Sequence, residues 1–492
     1  MSASTVTLES MCELIIDCPH STPKWTDEGY IVTRNQNIKN GTLSLSTPSF
    51  TNKEGYLSRI KRAKPQAGDI IFTREAPMGE VCLIPEGIQC CLGQRQVLLR
   101  PKSEICGEYL FWALQSPFVQ HQISWNEGTG STVSNVRIPV LKALNIPRLP
   151  YHEERIAKVL SNLANKTQLN TQTNQTLEAI AQAIFKSWFV DFDPVKAKIA
   201  VLESGGSAEE AELAAMSVIS SLSLEALAEL KQSNLDRDAH DCMDAGGRAA
   251  QGAAAEGDAN VAGGRMPGAT YQQLAQTAAL FPSRMQESEL GEIPEGWEKG
   301  TLQDVLQFTS ERIQVSSLDL DHYISTENML ENRKGITSAS NLPTVNTVPA
   351  FHKCDILISN IRPYFKKIWL ATFNGGRSAD VLGFSSLEKK ETEFVYNLVY
   401  QDRFFEYMMT TSKGAKMPRG DKDAIMKFPF SLPPKDLREK FSKKTKSFYP
   451  FIMNLNSEKT YLQELRNTLL PKLLSGEIDL STLNEETSEA NA

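Results

Sequence analysis

Two Gly-rich polar loops hold the residues of this sequence best suited to touching a charged polymer. The first, NEGTGSTVSNVRIP (Asn126 to Pro139), offers the hydroxyls of Ser131, Thr132 and Ser134, the amide of Asn135 and the charge of Arg137. The second, TSKGAKMPRGDKDAI (Thr411 to Ile425), offers Lys413, Lys416, Arg419 and Lys422. Small residues let backbone approach a partner closely, hydroxyls donate to phosphate, and the cations neutralise it. A solvated surface loop is the plainer reading of either stretch alone. Both, however, stand just before a returning apolar segment at matching places in two halves of the chain, and that recurrence favours a contact. CLGQRQ (Cys91 to Gln96) adds Gln94 and Arg95, whose side chains suit adenine and guanine edges. NIRPYFKK (Asn360 to Lys367) adds Arg362 and Lys366 among aromatics. Either of these last two is equally consistent with a structural role.

Other chemistry is missing. No GxxxxGKS/T loop cradles a nucleotide, no GxSxG elbow presents a nucleophile, and neither HExxH nor an NPPY-type methyltransferase pocket occurs. Asp191 and Asp193 in VDFDPVK form the one carboxylate pair worth weighing, and ending a helix before Pro194 explains them better than catalysis. Eight cysteines form no CxxC pair and no zinc-ligand array; Cys12 and Cys18 come nearest. The expectation is a reduced, cytoplasmic, non-catalytic chain that binds no metal and no cofactor of its own. The N-terminus has no basic start followed by an apolar core, and no uninterrupted apolar run approaches the roughly 18 residues of a membrane span.

The elements that must position these loops come in duplicate. At 492 residues the chain exceeds one ordinary core. GYIVTRN (Gly29 to Asn35) matches HYISTEN (His322 to Asn328), and GDIIFTR (Gly68 to Arg74) matches CDILISN (Cys354 to Asn360). EYLFWALQS matches EFVYNLVYQ, and NIPRLP matches KFPFSLP. Short β-branched runs followed by one amphipathic helix (Gly107 to Ser116; Glu393 to Tyr407) predict two similar α/β domains of an α+β protein.

A long helix follows each copy. Ile156, Leu160, Leu163, Leu177, Ile184 and Trp188 keep one heptad phase, with Thr167, Asn170 and Asn174 between them. At a constant offset of 285 the second copy reads Phe441, Phe448, Leu462, Leu469 and Leu473 in the same phase. Each helix would span roughly 50 Å, longer than its own domain needs. An antiparallel pair with a coiled-coil-like seam is therefore expected, its polar middle fixing register.

The net charge of −7 is local: residues 201–296 hold 5 basic and 16 acidic residues, a balance of −11. The expected order is a first globular domain (1–150), a long helix (151–200), an acidic Gly/Ala-rich linker or insertion (201–290), a second domain (291–433), a distal helix (434–480) and an acidic tail (481–492). Within the linker, SVISSLSLEALAELKQ has helical spacing.

Taken together, ELIIDCPHSTPKWT, GDIIFTREAPMGEV, IPRLPYHEERIAKVL and AIFKSWFVDFDPVKAK in the first half, and TAALFPSRMQESELGEIPEGW, GAKMPRGD, LPPKDLREKF and ELRNTLLPKLLSGEIDL in the second, resemble the DNA specificity subunits of type I restriction-modification systems. The resemblance implies two target recognition domains that each read half of a bipartite double-stranded DNA sequence, with the helix pair as a ruler. It also implies partners: modification subunits that methylate adenine from S-adenosylmethionine, and restriction subunits that use ATP and magnesium to translocate and cut. A recognition subunit for a fused nuclease-methyltransferase, or a coiled-coil protein adaptor, remains open on the sequence. The hydrophobic end AIFKSWFVDFDP is expected either to close onto the opposite recognition domain or to dock a methyltransferase.

Overall fold

The computed structural model describes residues 4–125, 135–233, 270–414, 417–478 and 480. The chain is an α+β protein of two compact units, residues 1–172 with 455–492 and residues 173–454.

In the first unit, Cys12–Asp17, Gln96–Pro101, Ile70–Thr73 and Val81–Leu83 form an antiparallel sheet in that order. Both faces are covered, so the strands read as unbroken apolar runs rather than alternating ones. The period of two still sorts the side chains: Ile70, Phe72, Val97 and Leu99 face the core under the Gly107–Leu114 helix, while Ile71, Cys82 and Leu98 face a second core with Cys18, Ile38 and Cys90. The second unit repeats this sheet with Leu306–Phe308, Val381–Ser386, Ile356–Ser359 and Ile368–Leu370. It also repeats the sorting, Ile356, Ile358, Leu382 and Phe384 to the main core and Leu357 and Val381 to the other.

A smaller sheet stands beside each of these and differs between the copies. Both keep one parallel pair, Tyr30–Thr33 with Cys90–Leu92 and Tyr323–Ile324 with Gly375–Arg377. In the first unit Ser49–Thr51 pairs with Tyr30–Thr33, whereas in the second Thr347–Phe351 pairs with Gly375–Arg377. Glycine permits the second choice. A Cβ at Gly375 would lie 2.7 Å from the Phe351 ring, and one at Gly376 2.7 Å from Val348 Cγ2.

The spacer helix, Glu153–Phe189, is continuous for 37 residues. Its partner is not: Lys435–Thr445 ends before the distal helix Phe448–Ser475 begins. Phe441 and Phe448 therefore lie on different helices, against the single heptad-phased helix expected from sequence. Pro450 supplies the reason, since its ring would collide with the Lys446 carbonyl in a continuous helix but fits the first turn of a new one. The helix expected over Glu393 to Tyr407 is likewise two, Thr392–Tyr400 and Asp402–Thr410, parted at an extended Gln401.

Within the first unit the distal helix runs antiparallel to the spacer helix. Arg155 Nη1 donates to the Leu480 carbonyl (3.0 Å), while Asn170 Nδ2 donates to Glu458 Oε2 (2.8 Å). Ile156 and Leu160 share the first domain's core with Leu470, Leu473 and Leu474, Leu469 lies half-buried at its edge, and Leu163 is half-buried. Leu462 is half-buried nearer the polar middle, where Asn170 is buried.

Within the second unit the spacer helix ends in the second domain's core. Trp188 is buried against Phe441 (6.0 Å, 71°) and Phe281 (5.5 Å, 88°), and Phe185 against Phe394 (5.5 Å). Ile184 and Leu177 are half-buried. Of the two uses open to AIFKSWFVDFDP, closure onto the opposite domain is the one the packing supports. Asp191 pairs with Lys186 as the helix ends, and Phe192 (φ 57°) turns the chain into Asp193–Glu203.

The ends of the 201–290 stretch are folded. Ala208–Ser220 starts with a reciprocal Ser207/Glu210 cap, Tyr271–Ala278 with a Thr270/Gln273 cap, and Met216, Leu227 and Leu274 join the core around Trp188. Lys198, itself buried, donates to Glu212 (2.5 Å) and to the carbonyls of Ala278 (2.9 Å) and Phe281 (2.8 Å). Among the described residues no single helix is long and apolar enough to cross a membrane.

One buried acid links spacer helix and second domain. Tyr400 donates to Glu178 Oε2 (3.2 Å), and burial holds the Glu178 carboxyl above the usual range despite that bond and the nearby Arg333 charge. A raised folded pKa means that folding favours the protonated form; this stabilisation is fullest below the unfolded pKa and is lost as pH rises through the folded one. Glu178→Gln, which keeps an acceptor for Tyr400, is thus expected to raise Tm near pH 7 and to change it little near pH 4. A gain of the same size at both pH values in thermal melts would remove burial of the charge as the cause.

Candidate nucleic-acid interface

Each domain brings three segments together at one end of its main sheet, and the same hydrogen bonds join them. In the first, Arg74 N–H donates to the Arg95 carbonyl (2.9 Å) and Val136 N–H to the Arg74 carbonyl (3.1 Å). In the second, Asn360 N–H donates to the Asp380 carbonyl (2.8 Å) and Gly420 N–H to the Asn360 carbonyl (3.2 Å). Two residues beyond Arg74 and Asn360, Ala76 (φ 42°) and Arg362 (φ 50°) adopt left-handed backbone, each followed by proline. A strained conformation kept at the same place in both copies marks a constrained turn.

The candidate residues of the second domain gather here. Arg419 bridges both Ile361 and Lys413, and Arg362 N–H donates to the Pro418 carbonyl (2.9 Å), so Arg362, Lys413 and Arg419 share one surface. Arg419 Nη2 meets Asp380 at 3.0 Å and Lys413 Nζ meets Asp421 at 2.5 Å, a contact that lowers the Asp421 pKa and raises that of Lys413. Exposed Lys422 stands 5.9 Å from the centre of the Phe308 ring. Half-buried Lys366 is tied instead to Asp402 (2.8 Å) at the far end of the 362–366 turn.

In the first domain Arg95 Nε meets Glu75 at 3.2 Å. Exposed Gln94 donates to the His20 carbonyl (2.7 Å), Asn135 Oδ1 accepts from Arg74 (3.3 Å), and exposed Arg137 immediately precedes the short Ile138–Lys142 helix without a side-chain capping bond. Ser131, Thr132, Ser134 and Lys416 lie outside the described residues. Among the described residues no three His, Cys, Asp or Glu side chains come together as a metal site.

Comparison with known proteins decides what carries this paired surface. A model of the type I restriction modification DNA specificity domain matches residues 4–179. The type I restriction enzyme HindI specificity subunit of Haemophilus influenzae is 30% identical over 355 residues, 68% of this chain and 69% of that one. The chain belongs to the specificity subunits of type I restriction enzymes. The MjaIX specificity subunit of Methanocaldococcus jannaschii is 32% identical over 130 residues, 26% of this chain and 29% of its own. The solved S subunit of a type I restriction-modification system from M. genitalium covers 97% of this chain and 96% of its own at 15% identity, with a TM-score of 0.48.

Three arginines that the sequence did not single out tie the segments around these candidate residues together. Arg74 sends Nη1 to both oxygens of Asp17 (2.9 Å each) and Nε to the Val136 carbonyl (3.0 Å). Buried Arg59 donates to the carbonyls of Leu92 (2.7 Å), Ser21 (3.0 Å) and Pro19 (3.1 Å), fixing the loops on either side of Gln94. Arg333 lies over the Tyr400 ring (4.7 Å), donates to the Tyr400 carbonyl (3.0 Å), and shares Asp402 with Lys366. These two bonds hold the Asp402 carboxyl below its usual range.

Proposed function

We propose that this specificity subunit reads a bipartite duplex target, one half-site per recognition domain, and directs adenine methylation and DNA restriction by partner subunits in the cytoplasm. The observation that carries the reading is the recurrence, in both domains, of one three-segment junction lined by cations. The proposed recognition domains are residues 1–150 and 291–433, and the proposed contact set is Gln94, Arg95, Ser131, Thr132, Ser134, Asn135 and Arg137 in the first. In the second it is Arg362, Lys366, Lys413, Lys416, Arg419 and Lys422. S-adenosylmethionine, ATP and magnesium would belong to the modification and restriction subunits. The spacer and distal helices would fix the separation of the half-sites, leaving the bases between them unread.

Methylation mapping tests this directly. Cells supplying this chain together with its methyltransferase are expected to carry methyladenine within a split sequence, absent when the chain is omitted. A continuous motif, or methylation independent of the chain, would overturn the reading.

A further inference from the structure

Each junction holds one exposed guanidinium–carboxylate pair, and the guanidinium stands on a different segment in the two copies. In the first domain Arg95 is on the turn before Gln96–Pro101 and Glu75 on the loop after Ile70–Thr73. In the second, the position equivalent to Arg95 is Asp380, and the guanidinium comes from Arg419, beside Gly420 of the returning segment. The two arginine side chains are 54% and 55% exposed. Arg74 and Arg333, at 11% and 17%, are by contrast engaged by Asp17 and by Asp402 with the Tyr400 carbonyl.

We infer that Arg95 and Arg419 are the guanine-reading residues of the first and second domains, with Glu75 and Asp380 as the carboxylates that position them. This rests on the DNA-reading role proposed above. An exposed ion pair adds little stability, so fold does not account for its return in both copies. Nor does phosphate binding, because a guanidinium beside a carboxylate has little net charge to offer a phosphate, and the carboxylate repels one. A guanine edge asks for something else: two parallel donors held in a fixed plane for O6 and N7. Glu75 lies 3.2 Å from Arg95 Nε, and the two Nη groups are the donors that would form that fork. Asp380 lies 3.0 Å from Arg419 Nη2, so Nη1 is the donor farther along the guanidinium that would lead the fork there. The main chain that carries each carboxylate is held by the junction, at Glu75 through the bond from Asn35 Nδ2 to its carbonyl and at Asp380 through the bond its carbonyl accepts from Asn360.

The experiment uses the chain assembled with its methyltransferase, scored by methylation and binding over duplex libraries randomised in each half-site. Arg95→Lys is expected to relax preference about tenfold or more at one G·C position of the first half-site, leaving the second half-site and non-specific affinity unchanged. Arg419→Lys should do the same in the second. Glu75→Gln and Asp380→Asn should relax the same positions more weakly, and Glu75→Gln combined with Arg95→Lys should be no worse than Arg95→Lys alone. Lysine keeps the charge, so a phosphate role predicts an unchanged profile, which would overturn the inference. Relaxation spread over all positions, or at an A·T pair, would overturn it too. If the unmodified assembly shows no split target, the parent reading fails instead; a split target untouched by both lysine variants fails this inference alone. Thermal melts of each variant against the parent chain guard against misfolding, and the glutamine and asparagine variants supply an independent readout.

Discussion

Trp188→Ala is expected to destabilise the second unit by about 3–5 kcal/mol. The ring is buried at the end of the spacer helix and meets Phe281 and Phe441 edge-on, and Phe441 also packs on Phe185 and Phe189. Removing it empties a site walled by the rings of Phe189 on its own helix and of Phe281 and Phe441 on two other segments, and rings seated this way cannot all collapse into the space. Because the same cluster continues to Ile356, Leu382 and Phe384, the loss should reach the sheet that carries the reading junction. Amide hydrogen exchange gives the measurement: protection of Ile356–Ser359 should fall by two or more orders of magnitude, while Ile70–Thr73, in the other unit, keeps its own. Half-buried Leu177→Ala, on the same helix, should cost far less. Equal losses in both strands, or none in either, would show that the helix end does not support the second domain.

That role for Trp188 was only half legible in the sequence. The apolar cluster and its phase were visible, yet phase says which residues share a face and not which domain receives it. The repeat was legible because strand pairing and face sorting depend on local alternation, which survives divergence; GYIVTRN and HYISTEN still pair in parallel with equivalent strands. The exchange of partner in the smaller sheet was not, since the effect of Gly375 and Gly376 depends on Phe351 and Val348 arriving from elsewhere. The break at Lys446 did have a signal in Pro450, outweighed by the heptad phase shared with the first long helix. Candidate contacts fared similarly. Arg95 and Arg419 stand exposed at the junctions, but nothing local separates them from Arg74 or Arg333, whose partners at Asp17 and Asp402 are set by tertiary placement.

A heptad inserted into each long helix at its polar middle should move the half-sites apart by roughly three base pairs without changing either. Seven residues add roughly 10 Å of helix, and duplex DNA rises 3.4 Å per base pair. The insertion points follow from the structure: Asn170 bonds Glu458, and Lys166 lies 3.6 Å from the same carboxylate, so segments after Thr171 and after Asn456 lengthen both helices close to this contact. Seven keeps the seam in phase, so Ile156 and Leu160 still meet Leu470, Leu473 and Leu474, and Trp188 still meets Phe441. Four residues in one helix alone would rotate its remaining side chains off the seam and should cost folding rather than change spacing. The expected result is loss of methylation at the original target and gain at the same two half-sites with the longer gap. Methylation that persists at the original spacing would mean that some element other than these helices sets the distance, and altered half-sites would mean that the helices shape the reading surfaces themselves.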